Sequence, residues 1–268
     1  MNLAFILIAA ASALYAGAFA ASMFSLFKQR RSEGPVFYIL AAAGFAVHTW
    51  AMAAIGLKAG RLPIANGFEL LEAVAWAIVL ADMSVALIFR IRLAGSLAVL
   101  SAAVLAALPL LCPAFTRLAG AQEPDPGAMA TAHGILAVAG YSFLALSSVF
   151  SCMYLIQLRS LKSRDPGDFG RVLLPLPRLV RFARGSLGAS AVLLATSLML
   201  GTAAAFSVSP GIWFAAKIAV GIFVFAAMLS LLYISLKRDM RDAMFAKLCI
   251  ALFIAAMLMT IPLQMRHF

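Results

Sequence analysis

Residues 48–76 read HTWAMAAIGLKAGRLPIANGFELLEAVAW. An apolar run closes at Lys58, a polar turn holds Gly60, Arg61, Pro63, Asn66 and Glu69, and a second apolar run follows at once. Two such runs separated by a short turn are the pattern of two membrane-spanning helices, because a helix needs ~20 mostly apolar residues to cross the bilayer core. Asn66 followed by Glu69 marks the start of the second helix: both side chains can satisfy backbone N–H groups that have no partner in a first turn.

The same alternation extends in both directions. The 268 residues are 65% hydrophobic and 12% charged, with a mean hydropathy of +1.03, and no water-soluble fold hides that much apolar surface. Eight runs are long enough to span, roughly 2–27, 36–57, 67–89, 93–112, 129–157, 184–207, 211–236 and 243–263. The expected fold is an all-α polytopic membrane helix bundle of eight transmembrane helices, one transmembrane domain over residues 1–268. Only 113–128 and 158–183 leave room for more than a turn, so any site belongs to the bundle or its two faces. Pro35 opens the second helix, Pro109 and Pro113 end the fourth, and Pro210-Gly211 parts the sixth from the seventh. Within LLPLPRLVRFARGSL, residues 173–187, leucines alternate with Arg178, Arg181 and Arg184. This predicts either a segment at about 173–183 lying in the inner headgroup layer or an ordinary basic loop with incidental leucines.

The formal net charge of +11 is distributed, not patched. With the first polar loop placed inside, Lys28, Arg30, Arg31, Arg90, Arg92, Arg159, Lys162, Arg164, Arg171, Arg178, Arg181, Arg184, Lys237, Arg238, Arg241 and Lys247 gather on the inner side. Lys58, Arg61, Arg117, Lys217 and Arg266 remain outside. This positive-inside asymmetry puts both termini outside and makes anionic lipid, not nucleic acid, the partner of the basic loops. The first run lacks a basic leader and a small-residue cleavage site, so it reads as a retained helix. Cys112, Cys152 and Cys249 stand singly, with no zinc spacing and no Cys-x-x-Cys-His, and read as small core residues, Cys112 alone near the oxidising face.

The sequence holds no phosphate-binding glycine loop, no His-Glu-x-x-His and no Gly-x-Ser-x-Gly, so enzymatic catalysis has little to stand on and no catalytic residue is assigned. Three histidines remain. His48 lies twelve residues after Val36 and ten before Lys58, near the bilayer midplane; it either has a task or hydrogen-bonds a neighbouring helix. His133 opens the fifth run and His267 follows the eighth, which puts both at the outer face, as axial ligation of one haem iron would require and as two interfacial polar residues would also do. Asp82 is the one carboxylate well inside an apolar run, a proton relay or a residue paired with a base such as Arg90. Lys217 and Lys247 can snorkel. Trp50, Trp76 and Trp213 can stack on a flat macrocycle or belong to the aromatic belt.

The spacing His48, Gly60, Arg61, Pro63, Asn66, Glu69 and Trp76 resembles the haem-handling membrane family of cytochrome c assembly, the CcsA, CcmC and HemX-like group, whose CcsA branch follows a membrane histidine with a Gly-Arg-x-Pro turn, an Asn-x-x-Glu and a tryptophan. In AHGILAVAGYSFLALSSVFSCMYLIQLRSLK, residues 132–162, His133, Tyr141, Tyr154, Leu155, Leu161 and Lys162 are similar to a second stretch of that family. The basic segment leading into LLATSLMLGT resembles a third more loosely. The chain departs from the family's cytochrome c synthases in two places. FSVSPGIWFAAK keeps only Trp213 where they have a tryptophan-rich loop, and Ser235 stands where they have the second membrane histidine. The chain is therefore most similar to the short HemX-like members.

The resemblance implies a haem-binding membrane protein of cytochrome c assembly in a bacterial inner membrane, binding or relaying haem b at the outer face and not attaching it to a cytochrome. His133 and His267 would be the iron ligands, and Arg61, Arg117 and Arg266 would face the propionates. His48, its family partner absent, would mark a deeper station, with Trp50 and Trp213 as stacking surfaces. Partners would be haem and cytochrome c assembly membrane proteins. Two other readings stand beside it: a HemX-like regulator whose inner loops dock a soluble haem-synthesis enzyme, and a small-molecule transporter with Asp82 and His48 as coupling groups.

Overall fold

The computed structural model describes residues 3–27, 34–89, 95–112, 127–162, 174–206, 212–237 and 240–264. Within them every regular element is an α-helix: α1 (Leu3–Phe27), α2 (Pro35–Ala59), α3 (Gly67–Phe89), α4 (Gly95–Leu111), α5 (Gly127–Lys162), α6 (Leu176–Phe206), α7 (Ile212–Lys237) and α8 (Asp242–Gln264). Seven of the eight are long and apolar enough to cross a membrane. The exception, α4, has 17 residues and a length of ~25 Å. Its Ala98, Val99, Ala102, Ala103 and Ala106 are buried in a layer against α1 and α3. It continues through Pro109 to Leu111, because a proline so close to a helix end removes one bond and leaves the rest of the ladder intact. Leu57, Leu87, Val192, Met199, Leu236 and Leu258 are exposed on the outside of the bundle, which suits lipid and not water.

The packing divides the helices into two groups of four. In the first, α1 lies against α2 and α4, and α3 against α4; in the second, α5 lies against α6 and α8, and α7 against the same two. The groups meet where α3 and α4 reach α5. Small residues and hydroxyls make the close approaches, as expected where lipid leaves helices no hydrophobic reason to associate. The Ser190 hydroxyl donates to the Gly140 carbonyl at 2.8 Å and the Ser147 hydroxyl to the Ala183 carbonyl at 2.9 Å, both across the α5–α6 seam. A Cβ on Gly140 would stand 2.6 Å from Leu194 Cγ. Gly140→Ala is therefore expected to cost ~1–3 kcal/mol of stability through overpacking, read as a lower unfolding midpoint in detergent.

The expected headgroup segment at about 173–183 is corrected. From Leu176 the chain is already the first part of α6, continuous to Phe206. Pro175 and Pro177 do not break this helix; they start it. Proline is tolerated in a first turn, where N–H groups lack partners anyway, and the Pro175 carbonyl accepts from the N–H groups of Arg178 and Leu179 at 2.9 and 3.2 Å. Leu179, Val180 and Ala183 face protein, and Phe182 stacks on Phe150 of α5 at 5.3 Å. Arg184 pairs with Asp242 at 2.9 Å and lies over the Phe245 ring, tying the starts of α6 and α8 at one end of the bundle.

Candidate functional site

The opposite end carries the turn between α2 and α3, the start of α5 and the end of α6. Gly60 closes α2 in the left-handed conformation at φ 67°, so the N–H groups of Gly60 and Arg61 both reach the Gly56 carbonyl and the chain doubles back. Asn66 then caps α3 as its sequence predicts, its Oδ1 accepting from the Glu69 N–H at 3.0 Å. Glu69 reaches back to the N–H of Ala65 at 2.9 Å, one residue short of the reciprocal bond of a standard capping box. The same carboxylate grips Arg61 with two bonds, 2.7 and 3.2 Å, at side-chain exposures of 4% and 5%. The Arg61 guanidinium thus meets Glu69 with both terminal nitrogens, and it also donates to the Leu62 carbonyl at 3.1 Å. Ile64 of this turn lies against Gly134 of α5, beside His133.

His133 is held by α6. Its Nδ1 lies 2.7 Å from the Ser197 carbonyl oxygen, and since a carbonyl can only accept, Nδ1 carries the proton and donates it. The Ser197 hydroxyl donates to the His133 carbonyl at 3.0 Å and sits 2.9 Å from the same Nδ1. Gly201, one turn further along α6, makes room for the ring: a Cβ there would stand 2.6 Å from Nδ1. In the neutral ring the Ser197 contact fixes the tautomer, with the lone pair on Nε2. A backbone carbonyl on one ring nitrogen is one of the ways a metal-binding histidine is oriented, beside a carboxylate or a water.

His48 sits in different surroundings. Gly44, one turn before it on α2, has no side chain to exclude the Tyr15 ring, whose carbons would lie 2.8 Å from a Cβ there. The Tyr15 hydroxyl consequently reaches His48 Nδ1 at 3.5 Å, and on the other side of the imidazole Nε2 lies 3.2 Å from Glu72 Oε2. The side chains of His48 and Glu72 are both 0% exposed. The reading of Asp82 as the one carboxylate deep in an apolar run is corrected by Glu72, which lies one turn further into α3 than Glu69. Asp82 is buried near Phe37 and Gly95, its Oδ1 without a hydrogen-bond partner among the described residues; Arg90 lies outside them.

Trp50 is 63% exposed on the outward side of α2. Trp76 stacks on Phe45 and donates to Thr49 at 2.9 Å. Arg117, Arg266 and His267 lie outside the described residues, and so does the Trp213 side chain. The three cysteines are free. No group of three or more His, Cys, Asp or Glu able to hold a metal ion is present among the described residues. No family model matches the chain, and no curated protein matches it.

Proposed function

We propose that this chain is a haem-binding integral membrane protein of cytochrome c assembly that binds or relays haem b at the outer face of a bacterial inner membrane, with eight spans and both termini outside. One observation carries the reading: the Ser197 carbonyl takes the Nδ1 proton of His133, so that in the neutral ring Nε2 is the nitrogen with the lone pair, at the end of the bundle assigned to the outer face. That donor fits haem iron, which takes neutral imidazole nitrogens. The packing of α5 against α8 also supports it, since His267 follows α8 by three residues. His133 and His267 are the proposed ligands. Arg117 and Arg266 are the proposed propionate partners, Arg61 being engaged with Glu69. His48, with Tyr15 and Glu72 at its two nitrogens, stays outside the ligand set, and Trp50 faces away from the bundle. When bound, haem supplies a redox-active iron; the chain's part is to bind, orient and shield it.

The topology has its own test. A periplasmic reporter fused after Phe268 is expected to be active and a cytoplasmic reporter at the same place silent. The opposite result would put His133 on the wrong side for this function.

A further inference from the structure

We propose that Glu72 is a membrane-embedded proton-binding site, carrying an exchangeable proton at neutral pH with His48 as the base it faces. Glu72 lies within α3, yet neither of its oxygens has a hydrogen-bond partner among the described residues, and the contact to His48 Nε2 at 3.2 Å lacks hydrogen-bond geometry. An ionised carboxylate at 0% exposure needs several donors to offset lost hydration, and a buried ion pair holds only if its remaining lone pairs are satisfied. Neither condition is met here. A carboxylic acid needs far less, because it carries no charge whose hydration must be replaced, and the imidazole nitrogen 3.2 Å away is the base beside it.

The surroundings argue for a proton and against a metal cation. Hard cations take six or more oxygen ligands, or nearly so. Here the imidazole stands between the Tyr15 oxygen and the carboxylate, so the two oxygens face different ring nitrogens and do not converge on a common centre. An imidazole between an acid and a hydroxyl can take a proton on one nitrogen and release it from the other. Among the described residues the other titratable groups supply this pair with no counter-ion: α1 carries only Tyr15, and on α2 Tyr38 and Lys58 lie ten residues either side of His48. The next acid along α3, Glu69, is neutralised by Arg61. Helix α4 carries no titratable side chain. On α5, packed against α3, the titratable groups are His133, turned toward Ser197, with Tyr141, Cys152, Tyr154, Arg159 and Lys162, none of them acidic at neutral pH.

Infrared spectroscopy of the full-length protein in lipid at pH 7 tests this directly. The expected result is a protonated-carboxyl C=O band that moves in heavy water, disappears in Glu72→Gln and is shifted in Glu72→Asp. Glu72→Gln is close in shape and neutral, so it should fold; Asp82→Asn, recorded alongside, removes any band belonging to Asp82, and Glu69 is paired with Arg61. A wild-type spectrum from which Glu72→Gln removes only carboxylate bands, or nothing, would overturn the proposal, and neither outcome bears on haem binding.

Discussion

A His133→Ala variant is expected to lose the low-spin haem spectrum that the proposed function predicts for the wild-type protein, either becoming high-spin or failing to retain haem, while His48→Ala keeps that spectrum. The difference follows from what each ring touches. His133 has one nitrogen fixed by the Ser197 carbonyl and, in the neutral ring, the lone pair on the other, whereas His48 has Tyr15 at one nitrogen and Glu72 at the other. Gly201→Ala sharpens the test, because it leaves every ligand in place and drives a methyl to within 2.6 Å of His133 Nδ1. The ring must then leave the Ser197 carbonyl, and losing such an orienting contact typically weakens metal binding ~10–100-fold. A haem titration followed by absorbance reads this. Equal spectra for His133→Ala, Gly201→Ala, His48→Ala and wild type would return His133 to the role of an interfacial polar residue.

The second large effect is expected at the turn. Glu69→Gln keeps an oxygen for the Ala65 N–H but strips the carboxylate charge from a pair buried to 4% and 5% exposure, so Arg61 loses the anion it grips with two bonds. Removing one partner of a buried pair costs ~3–5 kcal/mol, more than the ~0.5–2 kcal/mol of a cap. The double variant Arg61→Met with Glu69→Gln is expected to recover most of that loss, since no lone charge remains. Chemical unfolding of the two variants in detergent measures it. Equal stability of Glu69→Gln and wild type would mean that the guanidinium is hydrated in the membrane protein.

How much of this was legible beforehand can be judged from particular residues. Helix positions were legible because a bilayer demands long apolar runs, and Pro35, Gly60 and the Asn66 cap punctuate them locally. The start of α6 differs from the expectation because leucines alternating with Arg178, Arg181 and Arg184 look like a headgroup segment, whereas the helix already runs from Leu176. Glu72 was overlooked because Glu69, one turn earlier, already explained an acid at that place; an acid one turn deeper than a cap, in a hairpin whose other arm carries His48, was the available signal. Tyr15, Ser197 and Gly201 had no local mark at all, since their importance comes only from which helices pack together. The end of α6 gives His133 its tautomer across 64 positions of sequence, beyond the reach of any local pattern.

The visible absorption spectrum of the purified full-length protein, titrated with haem in detergent, bears most directly on the central claim. Saturable uptake giving a six-coordinate, low-spin spectrum with two histidine ligands is the predicted result. Protein that stays colourless, or takes up haem without any low-spin component, would contradict it.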